Sequence, residues 1–147
     1  MTNPDVVSID AILKAMYETI SGRAGQKRDW ERDRALHHPR AILAPARQAP
    51  GGPAAGVFTF DEFVASRGPF LEANDFHEIE VARRVDRFGN WAHVRSVYEA
   101  RRSPGDPELL KRGVNSIQLF HDGEQWRVVS VLWDNEREGV EVPSDWR

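Results

Sequence analysis

Three side chains suited to acid–base chemistry follow one another at intervals of four residues: Asp29, Asp33 and His37. Residues four apart lie on one face of a helix, so the three would be neighbours there. A carboxylate beside a histidine can orient the imidazole as a general base, which makes Asp33 and His37 candidate catalytic residues. The same spacing also suits a solvated helix face with local ion pairs, and the sequence leaves both interpretations open.

His93 is a third catalytic candidate, because a hairpin turn at Gly89-Asn90 would place it opposite Asp86. A surface charge ladder explains the same pair without chemistry. His37 and His38 are adjacent, but adjacent helical residues point in different directions and rarely bind one metal together. The sequence contains no phosphate loop, dinucleotide fingerprint, nucleophile elbow or zinc spacing, so we expect no metal and no cofactor.

Six side chains are expected to line a pocket that binds a small apolar or carbonyl-bearing molecule. They are Tyr17, Trp30, Tyr98, Asn115, Val131 and Trp133. The aromatic rings can instead fill the core and use their polar tips for one hydrogen bond each. The Asn115 amide either binds a ligand carbonyl or fixes a neighbouring strand or loop, since a buried amide must be hydrogen-bonded. Which face Asn115 occupies depends on the length of the turn at Asp122-Gly123.

The elements that must position these residues are helices in the first half of the chain and long strands in the second. The apolar spacing predicts helices at 8–21, capped by Ser8, at 29–38, ended by Pro39, and at 59–73, begun by a Thr59–Glu62 capping box and interrupted at Pro69. Strands are predicted at 40–46, 75–88, 91–103, 111–121 and 125–135. Residues 45–56 are rich in proline, glycine and alanine, so a loose surface loop is expected there, with or without a role as a lid. This order predicts an α+β fold in which three helical segments pack on a curved antiparallel sheet.

A two-residue turn at Gly89-Asn90 also predicts the register of the first hairpin. The expected pairs are Phe88–Trp91, Asp86–His93, Arg84–Arg95 and Glu78–Arg101. One face of the hairpin is then charged, and the other carries Val81, Val85, Ala92, Val94, Ser96 and Tyr98, which should meet the helices.

The last strand is apolar on both faces in a regular alternation. Val129, Val131 and Trp133 lie on one face, and Trp126, Val128, Ser130 and Leu132 on the other. A strand with two apolar faces needs a cover on each, which predicts helices on one side and a second copy of the chain on the other. We therefore expect a homodimer through the sheet.

The bulk composition limits the class of protein. With 147 residues, one domain over 1–147 is expected, with a core at about 8–138 and a tail at 139–147. The net charge of −3 and the mixture of both signs within the arginine clusters argue against nucleic-acid binding. No apolar stretch approaches the roughly 20 residues that cross a membrane, and the N-terminus lacks a secretory signal. The absence of cysteine excludes disulfide and thiolate chemistry and fits a cytoplasmic protein.

Four segments resemble bacterial nuclear transport factor 2-like proteins. They are Arg28 to Arg32 with Leu36, Pro39 and Ala41; Val94 to Glu99; Arg112 to Leu119 with Asp122-Gly123 and Trp126; and Leu132 to Glu136. The resemblance covers roughly residues 8–138 and implies a cystatin-like cone in which the helices close the mouth of a curved sheet.

The resemblance implies several activities rather than one. The superfamily includes ketosteroid isomerases, polyketide cyclases, scytalone dehydratases, limonene epoxide hydrolases and carriers without enzymatic activity, so fold is not function. It is compatible with small-molecule binding in the pocket, with a cofactor-independent acid–base enzyme, and with a structural protein whose pocket is filled. Tyr17 suits the tyrosine of the isomerases, but residues 115–118 offer no counterpart of their strand aspartate, which argues against steroid isomerisation.

Overall fold

The computed structural model describes residues 2–147. Its α-helices are α1 (Ile9–Ile20), α2 (Trp30–Arg34) and α3 (Phe60–Ala73). Its strands are β1 (His37–Ala49), β2 (Gly52–Ala55), β3 (Phe58–Thr59), β4 (His77–Phe88), β5 (Trp91–Arg101), β6 (Lys111–His121) and β7 (Trp126–Asn135). Short 3-10 helices lie at Pro4–Val6 and Ser144–Trp146. Among the helices within residues 2–147, none has the length and apolar character needed to cross a membrane.

Side-chain caps fix where α1 and α3 begin. The Ser8 hydroxyl accepts a hydrogen bond from the Ala11 amide at the start of α1. At the start of α3, Thr59 and Glu62 form the reciprocal capping box that the sequence predicted. Pro69 lies inside α3, which nevertheless continues to Ala73.

The seven strands form one curved sheet in the order β2-β1-β7-β6-β5-β4, with β3 paired to β1. The strands from β4 to β7 pair antiparallel with their neighbours, as expected. However, β1 runs parallel to β7, so the sheet is mixed, whereas the sequence predicted a curved antiparallel sheet. The α+β class and the packing of helices on a curved sheet are confirmed.

The second helix is shorter than predicted, because the residues that follow it pair with β7 instead of continuing the helix. α2 ends at Arg34 instead of residue 38. The Leu36 carbonyl accepts a hydrogen bond from the Val128 amide, and His37 pairs with Val128, so β1 begins where the helix was expected to continue.

The segment at 45–56 is a hairpin and not the loose loop that we expected. β1 runs to Ala49, turns through Pro50-Gly51 and returns as β2, with Ala46 opposite Ala55. Gly51 has a φ of 89°, which glycine adopts without the steric cost that a side chain would add.

A bulge in β4 changes the face of its first half. The pairs Phe88–Trp91, Asp86–His93 and Arg84–Arg95 are confirmed, but Glu80 faces Tyr98 and Ala82 faces Val97, so Val81 is an extra residue. Beyond the bulge Glu78 pairs with Ala100, not with Arg101 as predicted. An extra residue exchanges the two faces of a strand. Consequently Glu78 is buried inside the fold, and Val81, predicted to face the helices, is 38% exposed.

A second bulge, in β7, gathers its large apolar side chains on one face. Gln118 pairs with Ser130 and Leu119 with Val128, so Val129 is the extra residue. Trp126 and Val128 are therefore buried on the same face as Val131, whereas Val129 and Leu132 are exposed. The prediction that Trp126 and Val128 lie on the face opposite Val131 was therefore wrong.

The main core lies between α1 and the inner face of the sheet. Ile12 and Leu13 of α1 pack against Val94, Ile117 and Val128 of three adjacent strands, and all five are fully buried. The C-terminal tail crosses the outer face instead. There Val142 is buried, and Trp146 stacks on the guanidinium of Arg95 at 3.8 Å.

Candidate functional site

A cavity of about 90 Å³ lies between α1, α3 and the inner face of the sheet. Its apolar lining consists of Met16, Ile20, Leu43, Phe63, Leu71, Phe76, Val131 and Trp133. Its polar lining consists of Tyr17, Asp33, His37, Arg67, Glu78, Tyr98, Lys111 and Asn115. An apolar cavity with several converging polar groups is typical of a small-molecule site.

Asp33 and His37 meet in the lining of this cavity, and both are buried. His37 Nδ1 lies 2.7 Å from the backbone oxygen of Asp33 and 3.8 Å from its carboxylate Oδ1. The four-residue spacing thus brings the two together even though His37 already belongs to β1. Asp29, the third member of the predicted row, is exposed and caps α2 by accepting a hydrogen bond from the Arg32 amide.

The hydrogen bond at Nδ1 decides which nitrogen of His37 carries the proton. A backbone carbonyl only accepts, so Nδ1 must donate and Nε2 keeps its lone pair. That Nε2 is buried and has no hydrogen-bond partner within residues 2–147. Burial lowers the pKa of His37 to about 4, which keeps the ring neutral at pH 7. Burial also raises the pKa of Asp33 to about 7.

Tyr17 belongs to a directed chain of hydrogen bonds across the cavity wall. Asn115 Nδ2 donates to the Tyr17 hydroxyl at 3.0 Å, and the Tyr17 hydroxyl lies 2.6 Å from Ser96 Oγ. Ser96 Oγ donates to Glu80, whose other oxygen accepts from Arg83 Nε at 2.9 Å. Since the hydroxyl hydrogen of Ser96 is donated to Glu80, Ser96 can only accept from Tyr17, and the Tyr17 hydroxyl must be the donor. The Tyr17 proton is therefore engaged within the protein.

The same hydrogen-bond network shows which face of β6 Asn115 occupies: its side chain points inward and is buried. Its amide nitrogen fixes Tyr17 of α1 to β6, in keeping with the interpretation that this residue fixes a neighbouring element. Its Oδ1 has no hydrogen-bond partner among the described residues, and Asn115 lines the cavity, so an acceptor remains for a ligand hydroxyl or amide.

Tyr98 lines the cavity with its ring and turns its hydroxyl to β7. The hydroxyl donates to Asn135 Oδ1 at 2.6 Å and lies 3.2 Å from the Asp134 carbonyl. The ring passes over Gly113, where a Cβ would clash with the Tyr98 hydroxyl. Gly113 is thus required by this close approach.

Two candidates from the sequence lie away from the cavity. Trp30 packs beside Phe63 and Leu71 under α3 and fills the core there. His93 lies on the outer face of the sheet, opposite Asp86 as expected, and its Nε2 is 3.0 Å from Ser116 Oγ. Within residues 2–147, no three histidine, aspartate or glutamate side chains lie close enough together to hold a metal ion.

Three charged residues of the cavity were missed in the sequence: Arg67, Glu78 and Lys111. Arg67 follows Phe63 by four residues and precedes Leu71 by four, so the helical spacing of the apolar face contained a signal for it. Lys111 lies four residues before Asn115 on β6, so the two-residue alternation of a strand places both on the same face and contained a signal for Lys111. Glu78 had no such signal, because the bulge at Val81 is what turns it inward.

Burial dominates the electrostatics around Glu78. It raises the pKa of Glu78 to about 7, with Lys111 and Arg67 opposing the shift. It lowers the pKa of Lys111, and Arg67 adds to that shift while Glu78 opposes it. Two titratable groups of this cavity, Asp33 and Glu78, therefore change charge near neutral pH.

Comparison with known proteins identifies the fold. No protein-family model matches the sequence, and no curated protein is significantly similar to it. A cystatin-like protein of unknown function from Nostoc punctiforme superposes with a TM-score of 0.67 at 12% identity, covering 87% of this chain and 88% of its own. A nuclear transport factor 2-like protein of unknown function from Shewanella baltica has a TM-score of 0.59 at 17% identity and covers 88% and 91%. A candidate dehydratase of the nuclear transport factor 2-like family from Streptomyces avermitilis has a TM-score of 0.62 at 14% identity and covers 88% and 94%. The resemblance seen in the sequence is thus confirmed at the level of architecture, and the chain has the nuclear transport factor 2-like, or cystatin-like, fold.

Proposed function

We propose that this protein is a cofactor-independent enzyme that transfers a proton on a small molecule held in the cavity, as isomerases and dehydratases do. The observation that carries the proposal is the neutral His37 ring, whose Nε2 lone pair has no partner within residues 2–147. A buried base with a free lone pair at the wall of a cavity suits the removal of a proton from carbon beside a carbonyl group. The candidate dehydratase among the structural neighbours shares the fold only.

The residues around His37 complete an acid–base set. The Asp33 carbonyl holds the ring in the tautomer that leaves Nε2 free. The Asp33 side chain lies 3.8 Å from Nδ1 and, once ionised above about pH 7, stabilises the imidazolium that forms. Glu78 also lines the cavity, and its pKa of about 7 lets it return a proton near neutral pH. Asn115 Oδ1 offers an acceptor that orients the substrate.

Binding without chemistry is the second candidate function, since half of the cavity lining is apolar. It needs the same cavity and no proton transfer. The open volume of about 90 Å³ argues against the third interpretation, a pocket filled by its own side chains.

Proton exchange into deuterated water tests the proposed function without a known substrate. The protein is incubated with small ketones and 3-hydroxy ketones in D2O, and the loss of the α-proton signal is followed by NMR. We expect exchange with the natural protein and a loss of about 100-fold or more in His37→Gln, as for removal of a general base. His93→Gln, on the outer face, is the matched control and should exchange at the natural rate.

Two outcomes of this assay contradict the enzyme. Either no probe exchanges, or His37→Gln exchanges as fast as the natural protein. Native mass spectrometry on freshly purified protein then separates binding from an empty cavity, because a retained small molecule at one per chain supports the binding function.

A further inference from the structure

The polar groups of the cavity form two clusters at different positions along the strands. Asp33 and His37 form the first, where His37 pairs with Val128 at the start of β1. Arg67, Glu78 and Lys111 form the second. Glu78 and Lys111 lie on either side of Ala100, which pairs with both, so only one small side chain separates them across the sheet.

The two cations of the second cluster lack a direct counter-charge. Neither Arg67 nor Lys111 forms an ion pair within 4.0 Å or a side-chain hydrogen bond to any other residue within 2–147. Their charged groups pack against rings instead, Lys111 Nζ at 5.1 Å from the centre of Phe76 and Arg67 at 4.6 Å from that of Phe70.

Two other sheltered arginines are satisfied, whereas Arg95 of the outer face packs on Trp146 with a buried Nε that has no partner within residues 2–147. Arg28 donates to five backbone carbonyls, and Arg112 forms ion pairs with Glu99 and Glu136. Partly buried charges are normally paired, because an unpaired one loses hydration without compensation. Arg67 and Lys111 depart from this rule at the wall of a cavity.

The charge of the cluster is unbalanced in favour of an anion. Glu78 is its one carboxyl group, set against two cations. Because burial raises the pKa of Glu78 to about 7, this carboxyl group is partly protonated at neutral pH and compensates even less.

Building on the proposed function, we propose that the molecule bound in this cavity carries a carboxylate group, held between the guanidinium of Arg67 and the ammonium of Lys111. The planar guanidinium suits a carboxylate, and the ammonium supplies a second charge. With its carboxylate at this cluster, the ligand extends along the apolar wall toward His37. A singly charged group fits better than a dianion, because Glu78 would repel a second negative charge.

Equilibrium binding of an unreactive matched pair tests this proposal. Butyrate and butyramide have the same shape and differ in charge, and each is titrated into the natural protein with NMR detection of the cavity residues. We expect butyrate to bind at least tenfold more tightly than butyramide, and Arg67→Met or Lys111→Met to weaken butyrate about tenfold, as expected for one charge-assisted hydrogen bond. Lys111→Arg should restore most of the affinity.

Arg84→Met is the matched control, because Arg84 is an exposed arginine on the outer face. It should leave butyrate binding unchanged, and all variants should keep the amide spectrum of the folded protein. Equal binding of butyrate and butyramide overturns the proposal, as does full butyrate affinity in both Met variants. Tighter binding of inorganic phosphate than of butyrate overturns the carboxylate assignment.

The failure of this inference differs from the failure of the proposed function. Proton exchange is measured on ketones, and the preference for a carboxylate is measured by the binding of butyrate and butyramide, so each result can fail independently of the other. If the protein exchanges the α-proton of neutral ketones but binds butyrate no more tightly than butyramide, the carboxylate site alone is overturned. Butyrate binding without any exchange would overturn the enzyme alone.

Discussion

Asp33 and His37 are in contact, and burial moves their pKa values in opposite directions. It raises the pKa of Asp33 to about 7 and lowers that of His37 to about 4, because each group loses the hydration of its charged form. Between about pH 4 and pH 7, unfolded Asp33 is ionised while folded Asp33 keeps its proton, so stability falls as the pH rises. Between about pH 4 and pH 6.5, unfolded His37 is charged while folded His37 is neutral, so its contribution rises with pH.

These opposed contributions predict a pH-dependent effect of Asp33→Asn on stability. The amide resembles the protonated acid but never ionises, so the variant escapes the loss that Asp33 imposes on the natural protein above pH 4. We expect its free energy of unfolding, relative to the natural protein, to increase from pH 4 to pH 8 by on the order of 4 kcal/mol. Urea unfolding at pH 4, 6 and 8 measures this difference.

Glu124→Gln is the control for this measurement, because Glu124 is an exposed carboxylate in the β6–β7 turn. Its difference from the natural protein should stay constant over the same range. A constant difference for Asp33→Asn would show that Asp33 ionises normally, and would remove the electrostatic support for a buried acid–base pair.

At the scale of the elements, the sequence defines where strands lie better than which way they face. The Gly89-Asn90 turn correctly predicts the pairs from Phe88–Trp91 to Arg84–Arg95. Beyond them, Glu78 and Glu80 alternate with Ile79 and Val81, and a regular strand would turn the apolar residues inward. The bulge reverses this, and Glu80 is satisfied inside by Ser96 and Arg83. Ser96 belongs to the next strand, β5, so no pattern within β4 alone contains this information.

The site was predictable to the extent that local spacing governs it. Asp33 and His37 meet because four residues separate them, and this holds across the end of α2. Arg67 has the four-residue spacing of the inward-facing residues of α3, and Lys111 has the two-residue alternation of those of β6. Both were missed because charged side chains were assigned to the outside. Trp30 was placed near the pocket by residue type, and tertiary packing puts it in the core under α3. His93 lies opposite Asp86 as predicted, on the outer face of the sheet and away from the cavity.

One buried arginine ties three elements together and predicts a large loss of stability. The guanidinium of Arg28 donates to the carbonyls of Ile20, Arg23, Gln26, Leu71 and Asn74, which joins the end of α1, the following loop and the end of α3. Arg28→Met leaves buried carbonyls unpaired and should cost about 3 kcal/mol or more. Arg28→Lys should recover only part of this, because an ammonium lacks the five planar donors.

Urea unfolding also measures this prediction, with Arg84→Met as an exposed control that should stay within about 0.5 kcal/mol of the natural protein. A loss below about 1 kcal/mol in Arg28→Met would mean that water replaces the guanidinium without cost. The three elements would then be held by apolar packing alone.

At the scale of the whole molecule, the outer face of the sheet is only partly covered by the chain itself. The tail shelters its centre through Val142 and Trp146. Several large apolar side chains on the outer face remain exposed: Ile42, Trp91, Phe120, Val129 and Leu132. An apolar patch of this kind on a sheet is typical of an interface between protein chains.

The expected homodimer through the sheet follows from this patch and stays a prediction. Size-exclusion chromatography with light scattering should give twice the chain mass, and Leu132→Glu should give a monomer, because Leu132 is 49% exposed and a charge there would be buried unpaired in the interface. Val57→Glu, at an exposed valine outside the patch, should stay dimeric. A monomeric natural protein, or a dimeric Leu132→Glu, would instead leave the outer face free for a different partner. Since the cavity opens on the opposite, inner face, the proton-exchange rate per chain should be the same in the monomeric variant.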